Sequence, residues 1–184
     1  MSHSADKRGG TSKGKRPIMG EMSLAESGFT LIEMMVTISV LAILLAIAVP
    51  SFQEVTLSSK LTSLANDFVA SAQLARSEAI KRNRPARLCA SSDGSTCTGD
   101  WADGWVVLRE DGVVVQAQKK LPDGFMMSGN VTSISFSATG VGVTAAATLT
   151  VCRATPSEGS QERVVSISST GRPSVERTTE GSCS

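Results

Sequence analysis

The chain has 184 residues, which leaves room for one globular domain and an appended segment. Its 18 basic and 17 acidic residues nearly cancel, so total charge points to no class of partner. The only histidine is His3, tyrosine is absent, and neither a G-x-S-x-G elbow nor a phosphate-binding glycine loop occurs. These absences exclude the common enzyme classes, and no cofactor is expected.

Residues 1–28 are rich in Ser, Gly and Lys and show no apolar periodicity, so they are expected to be disordered. Five Lys/Arg stand there against three acids, whereas the rest of the chain is close to neutral. A basic head before a long apolar run is the mark of a segment sent to a membrane with its basic side kept in the cytoplasm. The run itself, residues 29–49, contains one charge, Glu33. As a helix it is about 30 Å long, enough to cross a bilayer core. An ordinary secretory signal, with Ala46-Ile47-Ala48 as its cleavage site, fits less well. The run exceeds the usual apolar length, and Glu33 would fall inside it.

Pro50 interrupts the apolar pattern and is of a kind that kinks helices. The pattern then resumes as a single stripe: Leu57, Leu61, Leu64, Phe68, Ala72, Ala75 and Ala79. Steps of three or four predict an amphipathic helix, so one long helix is expected from about residue 30 to about 83, stopped by Asn83 and Pro85. From residue 86 the period becomes that of strands, expected over Ala86–Ala90, Trp105–Arg109, Val113–Lys119, Ser133–Ser137, Thr148–Arg153 and Arg163–Ser168. Asp-Gly and Thr-Gly pairs separate them as turns, which predicts an antiparallel sheet of five to seven strands packed on the helix stripe.

The four cysteines, Cys89, Cys97, Cys152 and Cys183, all follow the apolar run. An even number in a chain exported to an oxidising compartment reads as two disulfides. Of the three pairings, Cys89–Cys97 with Cys152–Cys183 is preferred, because it closes one short loop and one C-terminal loop. A zinc site is disfavoured, since no close C-x-x-C pair exists and His3 is far away in sequence. The oxygen-rich loop from Asp93 to Asp103 makes a Ca²⁺ site conceivable but lacks an EF-hand pattern, so no metal is assigned.

The stretch Gly28-Phe29-Thr30-Leu31-Ile32-Glu33, followed by the apolar run, resembles the leader signal of type IV pilins and type II secretion pseudopilins. Further on, Leu74-Ala75-Arg76-Ser77-Glu78-Ala79, Leu88-Cys89, Asp93-Gly94, Gly104-Trp105 and Ser166–Arg172 are similar to the GspH/FimT family of pilin-like proteins. Together these cover nearly all of residues 28–184. The resemblance implies an α+β fold, a long N-terminal helix packed on a C-terminal antiparallel sheet with two disulfides.

It also implies a leader over residues 1–28, cut between Gly28 and Phe29 by a prepilin peptidase, with N-methylation of Phe29. Residues 29–52 become the transmembrane and assembly half of the helix. Residues 53–184 become the periplasmic domain, anchored by a single pass in the inner membrane. The leader is longer than usual in the family; starts at Met19 or Met22 would shorten it. The implied partners are other pilins or pseudopilins in a filament, with Glu33 of one subunit paired to the Phe29 amine of a neighbour. The implied function is that of a type IV pilus minor pilin that primes or caps the filament, with a type II secretion pseudopilin as the alternative.

A DNA-binding role is the less favoured third reading. It would rest on Arg172 and Arg177, yet the chain reads Gly171-Arg172-Pro173-Ser174, without the second arginine of the family's G-R-x-R pattern. A denser basic cluster, Arg76, Lys81, Arg82, Arg84 and Arg87, ends the helix. Cations there offset the negative helix terminus by about 0.3–1 kcal/mol each; contact with an acidic neighbour or with phosphates is the functional alternative.

Overall fold

A computed structural model describes residues 28–142, 146–154 and 162–179. The chain divides into two compact units, Met1–Leu44 and Leu45–Ser184. The leader reading falls almost wholly on residues 1–27, outside the described residues.

Helix α1 covers Leu31–Arg82. Its start is set by Thr30, whose carbonyl accepts from the Met34 N–H and whose hydroxyl accepts from the Glu33 N–H at 3.2 Å. Its end is a left-handed cap at Asn83, where φ is 52°. The Asn83 N–H donates to the Ile80 carbonyl and the Arg84 N–H to the Ala79 carbonyl, the paired bonds that close a helix before Pro85. The helix continues through Pro50. The ring removes one donor, but a single lost bond does not end a helix of this length.

In the first unit every described residue is exposed. In the second, α1 turns one face inward: Leu61, Leu64, Phe68, Ala72, Ala75 and Ala79 are buried. Ala65 and Ser71 are buried with them, while Leu57 is only half-buried.

Among the described residues eight strands follow: β1 (Ala86–Ala90), β2 (Trp105–Arg109), β3 (Val114–Gln118), β4 (Phe125–Gly129), β5 (Ser133–Phe136), β6 (Ala147–Arg153), β7 (Glu162–Ile167) and β8 (Pro173–Thr178). The expected single sheet of five to seven strands is instead two four-stranded antiparallel sheets, β3-β2-β1-β5 and β4-β6-β7-β8. The two unexpected strands, β4 and β8, are the edges of the second sheet. An edge strand tolerates Pro173, and neither Phe-Met-Met-Ser-Gly nor Pro-Ser-Val-Glu-Arg-Thr alternates cleanly, so the period-2 signal is weak there.

The core centres on Phe68. Its ring meets Trp101 and Trp105 edge-on, at centroid distances of 5.3 and 5.5 Å. Trp105 Nε1 donates to Ser71 Oγ at 2.9 Å, which explains a serine on the buried stripe. Trp101 Nε1 donates to the Val131 carbonyl at 2.6 Å. Gly104, at φ 124°, brings the start of β2 so close to the end of β3 that a Cβ would overlap the Gln118 carbonyl oxygen.

Candidate functional site

Two regions hold the candidate residues. The first is the N-terminal stretch of α1. Phe29 and Leu31 are each 78% exposed, and the large apolar side chains from there to Val49 remain at least half exposed. Glu33, also exposed, sits in the first helical turn, where the free N–H groups favour a negative charge. The helix is long and apolar enough to cross a membrane, and none of its most apolar window is buried. Exposure of this extent costs free energy in water, at about 25 cal/mol per Å² of apolar surface.

The second region is the globular unit. Cys89 and Cys97 form a disulfide that closes a short loop after β1. The pairing of Cys152 with Cys183 falls on Cys183, outside the described residues; Cys152 itself is buried, and no free cysteine occurs among the described residues. Within the short loop, Asp93 Oδ1 accepts from the Ser95 and Thr96 N–H groups at 2.8 Å each and from Ser91 Oγ at 3.0 Å. Thr96 Oγ1 donates to Asp93 Oδ2 at 2.6 Å. The Thr96 hydroxyl bond first, then the backbone donors, hold the carboxyl far below the usual carboxylate range. Asp93 is therefore a turn builder, and no cluster of metal-ligating side chains occurs among the described residues.

The basic set near the C-terminus is not one patch. Arg163 is buried and reaches across to α1, donating to Thr62 Oγ1 at 3.1 Å and to Ser58 Oγ at 2.9 Å. Burial, and the neighbouring Arg177 charge after it, push its pKa down. Arg177 pairs with Arg163 across the β7–β8 ladder, while Arg172 lies at the turn before β8. Five strand positions separate Arg172 from Arg177 in sequence. At about 3.3 Å per residue they stand roughly 16 Å apart along the strand. Glu176 lies between them.

The cluster at the end of α1 is partly structural. Arg76 Nε donates to the Gly140 carbonyl at 2.8 Å, tying the helix to the turn after β5. Arg82 pairs with Glu78 at 2.8 Å. That hydrogen bond, helped by the charges of Arg82, Lys81 and Arg109, lowers the Glu78 pKa. Arg84 lies 3.6 Å from Glu110, and Arg109 pairs with Asp111 at 2.6 Å. Two adjoining clefts of about 390 and 470 Å³ open here, sharing Pro85, Ala86, Arg109 and Glu110. The sequence alone did not single out Arg109, because its meeting with the helix end is long-range.

Residues 64–171 match the family model described as type II transport protein GspH. The chain belongs to the GspH family. GspH-family members are pilin and pseudopilin subunits, and residues 24–49 also match the prokaryotic N-terminal methylation motif. Similar solved structures include two crystal forms of the type IV minor pilin FimU of Pseudomonas aeruginosa. The form in space group P21 shares 26% identity at a TM-score of 0.51, over 65% of this chain and 90% of that one. The form in space group P65 shares 27% at 0.51, over 63% and 92%. The minor pseudopilin EpsH from the Type 2 Secretion System of Vibrio cholerae shares 13% identity at 0.48, over 66% and 98%. Among curated proteins no sequence matches.

Proposed function

We propose that this GspH-family chain is a minor pilin of a type IV pilus, anchored in the inner membrane until it enters the filament. Its role is to prime or cap assembly. The observation that carries this reading is the exposed apolar stretch of α1 with one carboxylate, Glu33, in its first turn. Such a surface needs a bilayer or the helices of other subunits around it. The likeness to FimU at 26–27% identity favours the pilus. The family model's description as a type II transport protein keeps a secretion pseudopilin as the second reading.

In this reading residues 1–28 are a leader, and a prepilin peptidase cuts between Gly28 and Phe29 and methylates Phe29. Residues 29–52 serve the membrane and assembly, and residues 53–184 form the periplasmic domain, where an oxidising setting suits the Cys89–Cys97 bridge. After cleavage the Phe29 amine is a cation at the start of the helix. Glu33 of one subunit neutralises that amine on a neighbour, which turns an expensive intramembrane charge into an assembly contact.

Glu33→Leu tests this. The change makes the helix more apolar, so insertion and processing should persist. The neighbour's amine then loses its partner in a low-dielectric setting, at a cost of several kcal/mol. Mass analysis should find mature protein starting at methylated Phe29 in both variants, with Glu33→Leu depleted from sheared filaments. A wild-type share in filaments of normal number would remove Glu33 from the assembly contact. A mature start at Val49 or later would show an ordinary secretory signal.

A further inference from the structure

The strands of sheet β4-β6-β7-β8 carry three arginines, and all three stand at one end of it. Arg153 closes β6, Arg163 follows the first residue of β7, and Arg177 precedes the last residue of β8. Val151 pairs with Arg163, and Arg163 with Arg177. Alternation therefore puts all three arginines on the face that carries the buried Val151 and Val165, and Glu162 and Glu176 on the other. That face meets α1: Arg153 lies 3.9 Å from Glu54, and Arg163 donates to the Ser58 and Thr62 hydroxyls. The apolar core thus ends here, among the described residues, in three cations facing one acid.

Arg163 is buried, yet among the described residues its partners are the two hydroxyls and the Ser58 and Glu162 carbonyls, with no carboxylate. A buried guanidinium ordinarily has an anion beside it. Its cross-strand partner is instead a second cation, Arg177, and like charges directly opposite are unfavourable. Arg177 is exposed and has no hydrogen bond or ion pair among the described residues. It lines a cleft of about 290 Å³ with Glu54, Val55, Ser58 and Ser59. Paired guanidinium charges beside serine hydroxyls suit a phosphate group.

The position of the cleft says which phosphate. Leu45–Val49, the last apolar residues of the long run, belong to the same compact unit and the same helix as the cleft. At 1.5 Å per residue, Glu54 lies about 8 Å beyond Val49 along α1 and Ser58 about 14 Å. The polar layer of a bilayer is roughly 5–8 Å deep on each side. With the apolar run in the bilayer core, the cleft opens at the outer edge of the headgroups, within the reach of a long arginine side chain. Phe52 and Val55, 74% and 62% exposed, fall between the core boundary and the cleft, where apolar side chains are favoured beside cations.

We propose that Arg177 with Ser58 and Ser59, backed by the charge of Arg163, seats the phosphate of an anionic phospholipid, so that this end of the sheet rests on the bilayer surface. The inference depends on the membrane-anchored reading of α1, and the test separates the failure of one from the failure of the other.

The full chain is reconstituted in nanodiscs of phosphatidylcholine alone or with about 30% phosphatidylglycerol. Both are treated with phenylglyoxal, and the modification rate of each arginine is read by peptide mass. Arg177 should react about threefold or more slowly in the anionic discs, and the difference should shrink at high salt. Arg87 and Arg172, exposed and outside the cleft, should differ by less than about 1.5-fold between the same two samples. Equal rates at Arg177 in the two kinds of disc overturn the proposal and leave the anchoring in place. An equal slowing of Arg87, Arg172 and Arg177 overturns it too, because the effect is then not local. Inorganic phosphate that protects Arg177 equally well in phosphatidylcholine discs would assign the seat to a soluble anion instead of the membrane. A chain that does not elute with the discs overturns the anchored reading itself, and this inference with it.

Discussion

The two halves of α1 are built from similar apolar residues and differ in what covers them. From Leu31 to Val55 the apolar side chains point in all directions and none is buried. From Leu61 to Ala79 the apolar residues form one stripe, and that stripe is buried against β-strands of the same chain. Periodicity decides the difference. An all-round apolar helix has no face left for water and calls for cover on every side, whereas a stripe needs only one sheet surface. In the proposed reading one helix serves two purposes, stability in its second half and association in its first.

The largest break in this comparison is a deletion within the stripe. Phe68→Ala removes a fully buried ring and its two edge contacts with Trp101 and Trp105. It should cost about 3–5 kcal/mol. Urea unfolding of the full chain in detergent, followed by tryptophan fluorescence, reads this directly, because both tryptophans of the chain are in the core. A loss under about 1 kcal/mol would mean the stripe is not what holds the globular unit together.

Next comes the covalent tie. Cys89→Ser with Cys97→Ser opens a loop whose ends are 8 residues apart in sequence. The chain-entropy model gives a loss of about 2–3 kcal/mol for a loop of this size. The same unfolding measurement tests it, and a loss as large as that of Phe68→Ala would shift the weight of stability from helix packing to the bridge.

Much of this was legible in the sequence. Periodic steps of three and four gave α1 within about a residue at each end, and Asn83 before Pro85 marked the stop because it takes the left-handed cap. Six strands were readable from Val, Ile and Thr runs. The edge strands β4 and β8 were not, since neither Phe-Met-Met-Ser-Gly nor Pro-Ser-Val-Glu-Arg-Thr holds a run of Val, Ile and Thr or a clean alternation. Nor was the split into two sheets, because pairings such as β1 with β5 depend on contacts far apart in sequence. Buried polar residues were the other blind spot. Ser71 and Arg163 look like solvent-facing residues until Trp105 and the Ser58 and Thr62 hydroxyls are brought to them. Arg109 joins the helix-end cations for the same reason.

A smaller effect distinguishes the loop from the helix. Asp93 has a folded-state pKa depressed by its Thr96, Ser95 and Ser91 hydrogen bonds. A depressed carboxylate pKa stabilises the folded state fully above the unfolded value, near 3.9 for Asp, and that stability is lost as pH falls below it toward the folded value. Asp93→Asn should therefore be less stable than wild type by a constant amount from pH 7 down to about 4, with the gap narrowing at lower pH. Unfolding midpoints across that range check the sign. A gap that widens on acidification would mean the carboxylate is not the group being stabilised.

The smallest expected effect is the sharpest test of the comparison. Leu44→Ala removes apolar surface from the same helix, but at a side chain that is 59% exposed. Neither a cavity nor a lost core contact results, so unfolding of the globular unit should change by less than about 0.5 kcal/mol. The consequence should appear where the cover is external. Less apolar area remains for a bilayer or a neighbouring helix, at about 25 cal/mol per Å² removed. Extraction of the variant from membranes, and its share in sheared filaments, should therefore shift while the unfolding curve stays in place. If Leu44→Ala instead destabilised the globular unit as Phe68→Ala does, the first half of α1 would be part of the fold's own core. The division of labour along the helix would then be wrong.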